Sequence, residues 1–318
     1  MIEDQPTSPS GGASTTAAAL VELCRRTPPP GHDDPRRGST HALTGPYLSS
    51  FRGGGIEFDE LRAYQPGDDV RSIDWRVTAR TGRPHSRVFR EDHEQPVWLL
   101  ADLGPAMRFG TRRAFKSVAA AEASALLSWW SVESGDRVGG FVLGEDSCVA
   151  HPPRGQQARH WAFLQALAKA TEPGEAEVDD EDTATVSLNT ALGRLATAVN
   201  PGSRVFIISD FDGLGPAGRR HLIQLARWCD VRCVLVYDVL EAHAPPNGEY
   251  RIHDGSGSQA VTVGGRRPRK DYEDLFHERI EELRQFCQTH RIELMALRTD
   301  ENPGDVLSPS RSKVGGRS

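Results

Sequence analysis

A doubly wound, mostly parallel α/β sheet is the architecture to expect from this sequence. Short continuous apolar runs, VWLLAD ending at Asp102, RVFIISD ending at Asp210 and VRCVLVY ending at Tyr237, have the length and β-branched content of strands buried on both faces. Between them, apolar residues recur at helical spacing, as in Phe115, Val118, Ala119, Leu126 and Trp130. Strands alternating with such helices assemble into a parallel sheet covered on both sides.

The elements follow in order. Residues 1–44 read as a flexible lead with one short helix, because the first twelve are rich in Pro, Ser and Gly and the run TPPPGHDDPRRGST follows at Thr27. A charge-rich segment occupies 45–96 and the sheet domain 97–299. Within the latter, VWLLAD leads into an Ala-rich helix that stops near Gly135, and DRVGGFVL over 136–143 is the next strand. Trp161, Leu164, Leu167 and Ala168 mark a helix behind HPPRG, and the acidic run EAEVDDEDTAT is a solvated loop. A helix over 188–199 precedes VFIISD, and one carrying Leu222, Leu225, Ala226 and Cys229 precedes VRCVLVY. Residues 250–263, with GSGS at their centre, read as a hairpin. A long helix through Leu275, Ile280, Leu283 and Phe286 and a last strand over 293–297 complete the domain. Residues 300–318, rich in Pro, Ser, Gly and Arg, read as a disordered tail.

With 318 residues and only 37% hydrophobic content, the core must be concentrated in these few runs. The net charge of −6 argues against bulk binding to nucleic acid or anionic membrane. Five cysteines, with no CxxC pair, give neither a disulfide framework nor a four-thiolate zinc site and read as reduced thiols. No secretory leader is legible, and no apolar run approaches the roughly 20 residues that a membrane-spanning helix needs. A soluble, cytoplasmic protein is the expectation.

The segment over 57–80, EFDELRAYQPGDDVRSIDWRVTAR, carries six acids and four arginines around Tyr64, Pro66, Gly67, Ile73 and Trp75. A merely solvated run needs neither a tryptophan of the kind usually buried nor a Pro-Gly turn among its charges. Two readings remain open. In one, Asp74 pins a turn, Trp75 packs, and Arg62, Arg71 and Arg76 pair with Asp68, Asp69 or Glu57 in a partly buried ionic network. In the other, Arg62, Tyr64, Gly67, Asp68, Asp69, Arg71, Asp74 and Trp75 form a surface that anchors a partner.

This string, with the strand ending in Asp102 and the run VFIISDFDG, resembles the domain of unknown function 58 family over residues 45–299. The resemblance implies a von Willebrand factor A-like domain downstream of the charged segment. It also implies an association with MoxR-type AAA+ ATPases in protein assembly or metal insertion, and it supplies no known reaction.

In open α/β sheets, ligands bind beyond the carboxyl ends of the strands where strand order reverses. Asp102 and Asp210 close two buried strands, and Thr190 starts the intervening helix, so the von Willebrand A arrangement brings all three to one crevice. Hard oxygens from separate loops suit Mg²⁺ or another hard divalent cation. The metal site of that fold carries a DxSxS run, whereas this chain reads Asp102-Leu103-Gly104-Pro105-Ala106, with both serines missing. A vestigial site stands beside one in which Asp102 and Asp210, with Ser209, Thr190 and Asp212 nearby, hold an ion largely through water. The competing function is a metal-dependent hydrolase using Asp102, Asp210 and Asp212, although Asp212-Gly213 is equally ordinary turn chemistry.

The chain has no GxxxxGK[ST], HExxH or GxSxG run, which removes the P-loop, zincin and serine-hydrolase readings. The function the sequence favours is a non-enzymatic protein-interaction adaptor, with a MoxR-type ATPase as the partner implied by the resemblance.

Overall fold

The structure is a computed structural model describing residues 12–29, 56–64, 73, 75–91, 95–153, 157–172, 186–245, 248–253, 258–263 and 266–308. The expectations for Gly67, Asp68, Asp69, Arg71 and Asp74, and for the acidic run over 175–185, fall outside the described residues. The chain forms two compact units, Pro46–Gln95 and the remainder.

The larger unit begins with helix α1 (Ala17–Arg26), capped by the Thr16 hydroxyl, which accepts from Ala19 N at 3.2 Å. Leu20 and Cys24, one helical turn apart, are buried. On either side of the helix, Thr15 N donates to Thr171 Oγ1 at 3.0 Å and Trp130 Nε1 to the Thr27 carbonyl at 2.9 Å. Residues 12–29 are therefore part of the core and not a loose lead. Sequence patterning underrated them because the proline run at Thr27 ends the helix without undocking it.

The smaller unit contains β1 (Ile56–Ala63), α2 (Trp75–Thr81) and β2 (His85–Glu91). The strands pair antiparallel with a bulge between Phe58 and Glu60, and Arg62 lies opposite Ser86. Tyr64 is half-buried and its N–H donates to the Pro84 carbonyl at 2.9 Å. Helix α2 buries no residue and stops at Gly82, whose φ of 72° is the left-handed conformation that glycine adopts without penalty. Trp75 opens this helix 65% exposed, where the ionic-network reading had it packed.

The larger unit continues with β3 (Pro96–Asp102), α3 (Lys116–Glu133), β4 (Arg137–Leu143), β5 (Cys148–His151), α4 (Gln157–Thr171) and α5 (Leu188–Ala198). Next come β6 (Arg204–Ser209), α6 (Pro216–Ala226), β7 (Asp230–Tyr237) and α7 (Val239–Ala242). The hairpin β8 (Gly248–His253) and β9 (Ser258–Val263), α8 (Arg266–Thr289), β10 (Glu293–Arg298) and α9 (Pro303–Leu307) complete it.

Six strands form one sheet in the order β10-β7-β6-β3-β4-β5, parallel throughout except for β5. From β3 the chain winds outward through β4 and β5, then returns to the other side of β3 and winds through β6, β7 and β10. The reversal lies between β3 and β6, where Ala101 pairs with Ile208, so Asp102 and Ser209 leave the sheet side by side. The antiparallel edge strand β5, four residues long, is too short for periodicity to reveal.

Alternation along β3 and β6 divides the core. Leu99, Ala101, Phe206 and Ile208 face the cluster built with α1, α3 and α4, whereas Trp98, Leu100, Val205 and Ile207 face the one built with α5 and α6. Helix α3 is buried almost all round, from Lys116 to Ser128. Its run of alanines and serines lets the backbone lie close to its neighbours, the pattern of a helix wrapped on all sides. In β4, a Cβ at Gly140 would stand 2.8 Å from the Leu99 carbonyl oxygen, which accounts for a glycine inside a central strand. At the far end, α9 buries Pro303, Gly304 and Leu307, so residues 300–308 are packed and not part of a disordered tail.

Candidate functional site

Asp102 and Asp210 do meet at one rim. Ser209 Oγ donates to Asp102 Oδ2 at 2.6 Å, and Gly104 N donates to Asp102 Oδ1 at 3.2 Å. Burial pushes the Asp102 carboxyl up to about 6 from an ordinary 3.8; the Ser209 hydroxyl pulls it down and the neighbouring Asp210 charge pushes it further up. Asp210 Oδ1 accepts from Asp212 N at 3.0 Å, and the Ser209 hydroxyl accepts from Phe211 N at 3.1 Å. These bonds fold the strand end back on itself and hold Phe211 at a φ of 56°, a left-handed conformation uncommon for an aromatic residue.

The remaining oxygen of Asp210 is taken by a residue that sequence reasoning missed. Lys116 Nζ stands 2.7 Å from Asp210 Oδ2 and 2.9 Å from Glu241 Oε1, with the lysine side chain 4% exposed. Burial works against its charge, but the two carboxylates outweigh it and hold the ammonium pKa above the ordinary lysine value. One clue was present: Lys116 and Glu122 are the charged residues at the head of an otherwise apolar and small-residue helix, and a helix buried all round must provide partners for its charges. Glu122 has such a partner in Arg113, whose Nη1 lies 2.7 Å away.

The segment leading into α3 fixes the lysine. Thr111 N and Oγ1 donate to Asp238 at 3.0 and 2.7 Å, Arg112 pairs with Asp300 at 2.9 Å, and Lys116 N donates to the Phe109 carbonyl at 2.7 Å. Asp238 closes β7 as Asp210 closes the neighbouring β6, and also accepts from Thr299 Oγ1 at 2.5 Å and Leu240 N at 2.9 Å. Burial would raise the Asp238 carboxyl, but these donors, Thr299 first, hold it below the usual aspartate value. Glu241 joins the two rims: one oxygen accepts from Lys116, the other from Asp238 N at 2.8 Å.

Thr190 is on the first turn of α5, where its hydroxyl lies 3.1 Å from the Ser187 hydroxyl in an exposed setting. Its neighbour Asn189 ties that helix to the loop after β6, donating to the Gly213 carbonyl and accepting from Gly215 N and Gly218 N at 2.9 to 3.1 Å. Asp212 turns away from Asp210 and pairs with Arg279 on α8. Between that loop and α8 lies a hollow of about 210 Å³, lined by Asp210, Phe211, Asp212 and Leu214 on one side and Arg279, Ile280 and Leu283 on the other.

The donor set does not fit a hard divalent cation. Each carboxylate oxygen of Asp102 and Asp210 already accepts a hydrogen bond, and one of those donors is an ammonium. A serine Cβ at position 104 would stand 3.3 Å from Asp102 Oδ1, and no three His, Cys, Asp or Glu side chains among the described residues are grouped to hold an ion. Nor do Asp102, Asp210 and Asp212 converge as a hydrolase would need, because Lys116 and Arg279 engage the latter two.

The fold and the site define an open, doubly wound α/β domain with an acid pair at its switch point, one of the two neutralised from within. The chain belongs to the family described as protein of unknown function DUF58, whose model matches residues 60–282. It is 33% identical over 214 residues to the uncharacterised proteins Rv1480 of Mycobacterium tuberculosis and Mb1516 of Mycobacterium bovis. That match covers 67% of this chain and 64% of theirs, so it spans less than two thirds of the relatives' length. Among solved structures, the conserved hypothetical protein BatB from Bacteroides thetaiotaomicron matches at 10% identity and a TM-score of 0.37, covering 67% of this chain and 94% of its own. A von Willebrand factor type A protein from Catenulispora acidiphila matches at 14% and 0.32, covering 48% and 35%. Likenesses this slight add nothing to the strand order. No helix among the described residues is long and apolar enough to cross a membrane.

Proposed function

We propose that this protein is a non-enzymatic adaptor that binds another protein at the carboxyl-end rim of its sheet. The hollow beside Asp210 carries the reading: Phe211, Leu214, Ile280 and Leu283 give it apolar lining, and the Asp212–Arg279 and Arg219–Glu282 pairs give it a charged edge. An apolar centre with a polar rim is the anatomy of a protein-binding patch. The partner the family resemblance favours is a MoxR-type AAA+ ATPase, in a cytoplasmic setting, with protein assembly or metal insertion as the task. The charged segment over 57–80 serves as a second contact, to which the exposed Trp75 would contribute.

The test uses a purified MoxR-type AAA+ ATPase, with and without nucleotide. The wild-type chain should retain the ATPase on an affinity column, and Arg279→Glu, which sets a like charge against Asp212, should release it while the chain remains folded by circular dichroism. Retention indifferent to Arg279→Glu would move the contact elsewhere. Absence of retention under every nucleotide condition would remove the ATPase as partner.

A further inference from the structure

We infer that this crevice carries its cation as part of the chain, with the Lys116 ammonium held where a metal-bearing site of this architecture would hold a divalent ion. The lysine satisfies what such an ion satisfies. It lies 2.7 Å from the carboxylate ending β6 and 2.9 Å from Glu241, in a setting where its side chain is 4% exposed. It is also fixed in place, as the first residue of the buried helix α3, with its N–H on the Phe109 carbonyl and the preceding loop tied to Asp238 through Thr111.

An ion and this ammonium exclude each other. Mg²⁺ requires oxygens at about 2.1 Å in near-octahedral arrangement, and on Asp210 it would meet a like charge already seated on Oδ2. The other ligands are committed as well: Asp102 accepts from Ser209 and Gly104, and Asp210 Oδ1 from Asp212 N. The internal lysine thus supplies, as a tethered monovalent charge, the neutralisation that an exchangeable divalent ion would otherwise supply. Removing the ammonium leaves Asp210 and Glu241 as two carboxylates facing an emptied position without a counter-charge, which a hard cation holding most of its waters can supply. The inference concerns the same crevice as the proposed docking surface but not its partner, so failure to retain an ATPase leaves it standing.

The experiment titrates Mn²⁺ into the full chain and follows the thermal midpoint, comparing wild type with Lys116→Gln, which keeps a donor of similar length without the charge. The expected result is no rise for wild type and a rise of several degrees for Lys116→Gln that disappears in Lys116→Gln/Asp210→Asn. If Lys116→Gln is unfolded without metal, recovery of its circular dichroism on adding Mn²⁺ is the same outcome. Paramagnetic broadening of backbone amides gives an independent reading on wild type, where Gly104 and Phe211 should broaden no more than distant surface residues. A Mn²⁺-dependent rise in wild type equal to that of the variant, or selective broadening at Gly104 and Phe211, overturns the inference.

Discussion

Two carboxylates end parallel strands on either side of β6, and their surroundings treat them differently. Asp238, at the end of β7, receives two hydrogen bonds from Thr111 and one each from Thr299 and Leu240, and its carboxyl lies below the usual value. At the switch point, Asp102 has one hydroxyl and one amide donor beside a like-charged neighbour, and burial carries it up to about 6. Burial raises both carboxyls; four donors reverse it at Asp238, whereas two donors beside a like charge do not at Asp102. Asp210 is a third solution, neutralised by Lys116, and Glu241 links that ion pair to the Asp238 cluster.

The largest effect that would break this comparison is at Lys116. Lys116→Met should lower stability by about 4 kcal/mol, because it leaves two carboxylates without their counter-charge. Urea unfolding at neutral pH measures it, and Lys116→Met/Asp210→Asn should recover part of the loss. Asp238→Ala follows, at about 3 kcal/mol by the same assay, since Thr111, Thr299 and Leu240 lose their acceptor. Equal and small losses at both positions would mean that neither network matters to the fold.

Asp102 sharpens the comparison through pH. Its folded value of about 6 is above the ordinary 3.8, so the folded state favours the protonated acid. Both states are protonated below about pH 4, where the group costs nothing; stability falls as the pH rises from 3.8 towards 6 and then levels off. Asp102→Asn removes this dependence. The variant should therefore gain on wild type by roughly 2–3 kcal/mol between pH 4 and 7 in paired denaturation curves. A difference independent of pH would mean that Asp102 is charged at no cost. The smallest effect is expected at Trp75: being 65% exposed, it should change stability on truncation to Ala by no more than about 0.5 kcal/mol. A larger loss would restore the packed role.

What was legible in the sequence follows from the same physics. Continuous apolar runs gave the buried strands, and their terminal acids located the rim, because a charged residue ending a buried strand can only face the crevice. Lys116 was not legible by spacing: its partners, Asp210 and Glu241, are 94 and 125 residues away in sequence. The docking of α1 was hidden for a similar reason, since Leu20 and Cys24 give too short an apolar stripe to show that it reaches the core. Thr190 was a reasonable choice by position, but Asn189 beside it has the two-sided amide that can bond both an N–H and a carbonyl of the loop after β6.

The most direct test of the central claim is a crystal structure of the full chain grown with Mn²⁺ and measured at the manganese absorption edge. Lys116 Nζ should lie within hydrogen-bond distance of both Asp210 and Glu241, with no anomalous peak at the ends of β3 and β6. A manganese peak coordinated by Asp102 or Asp210, with the lysine displaced, would contradict the claim.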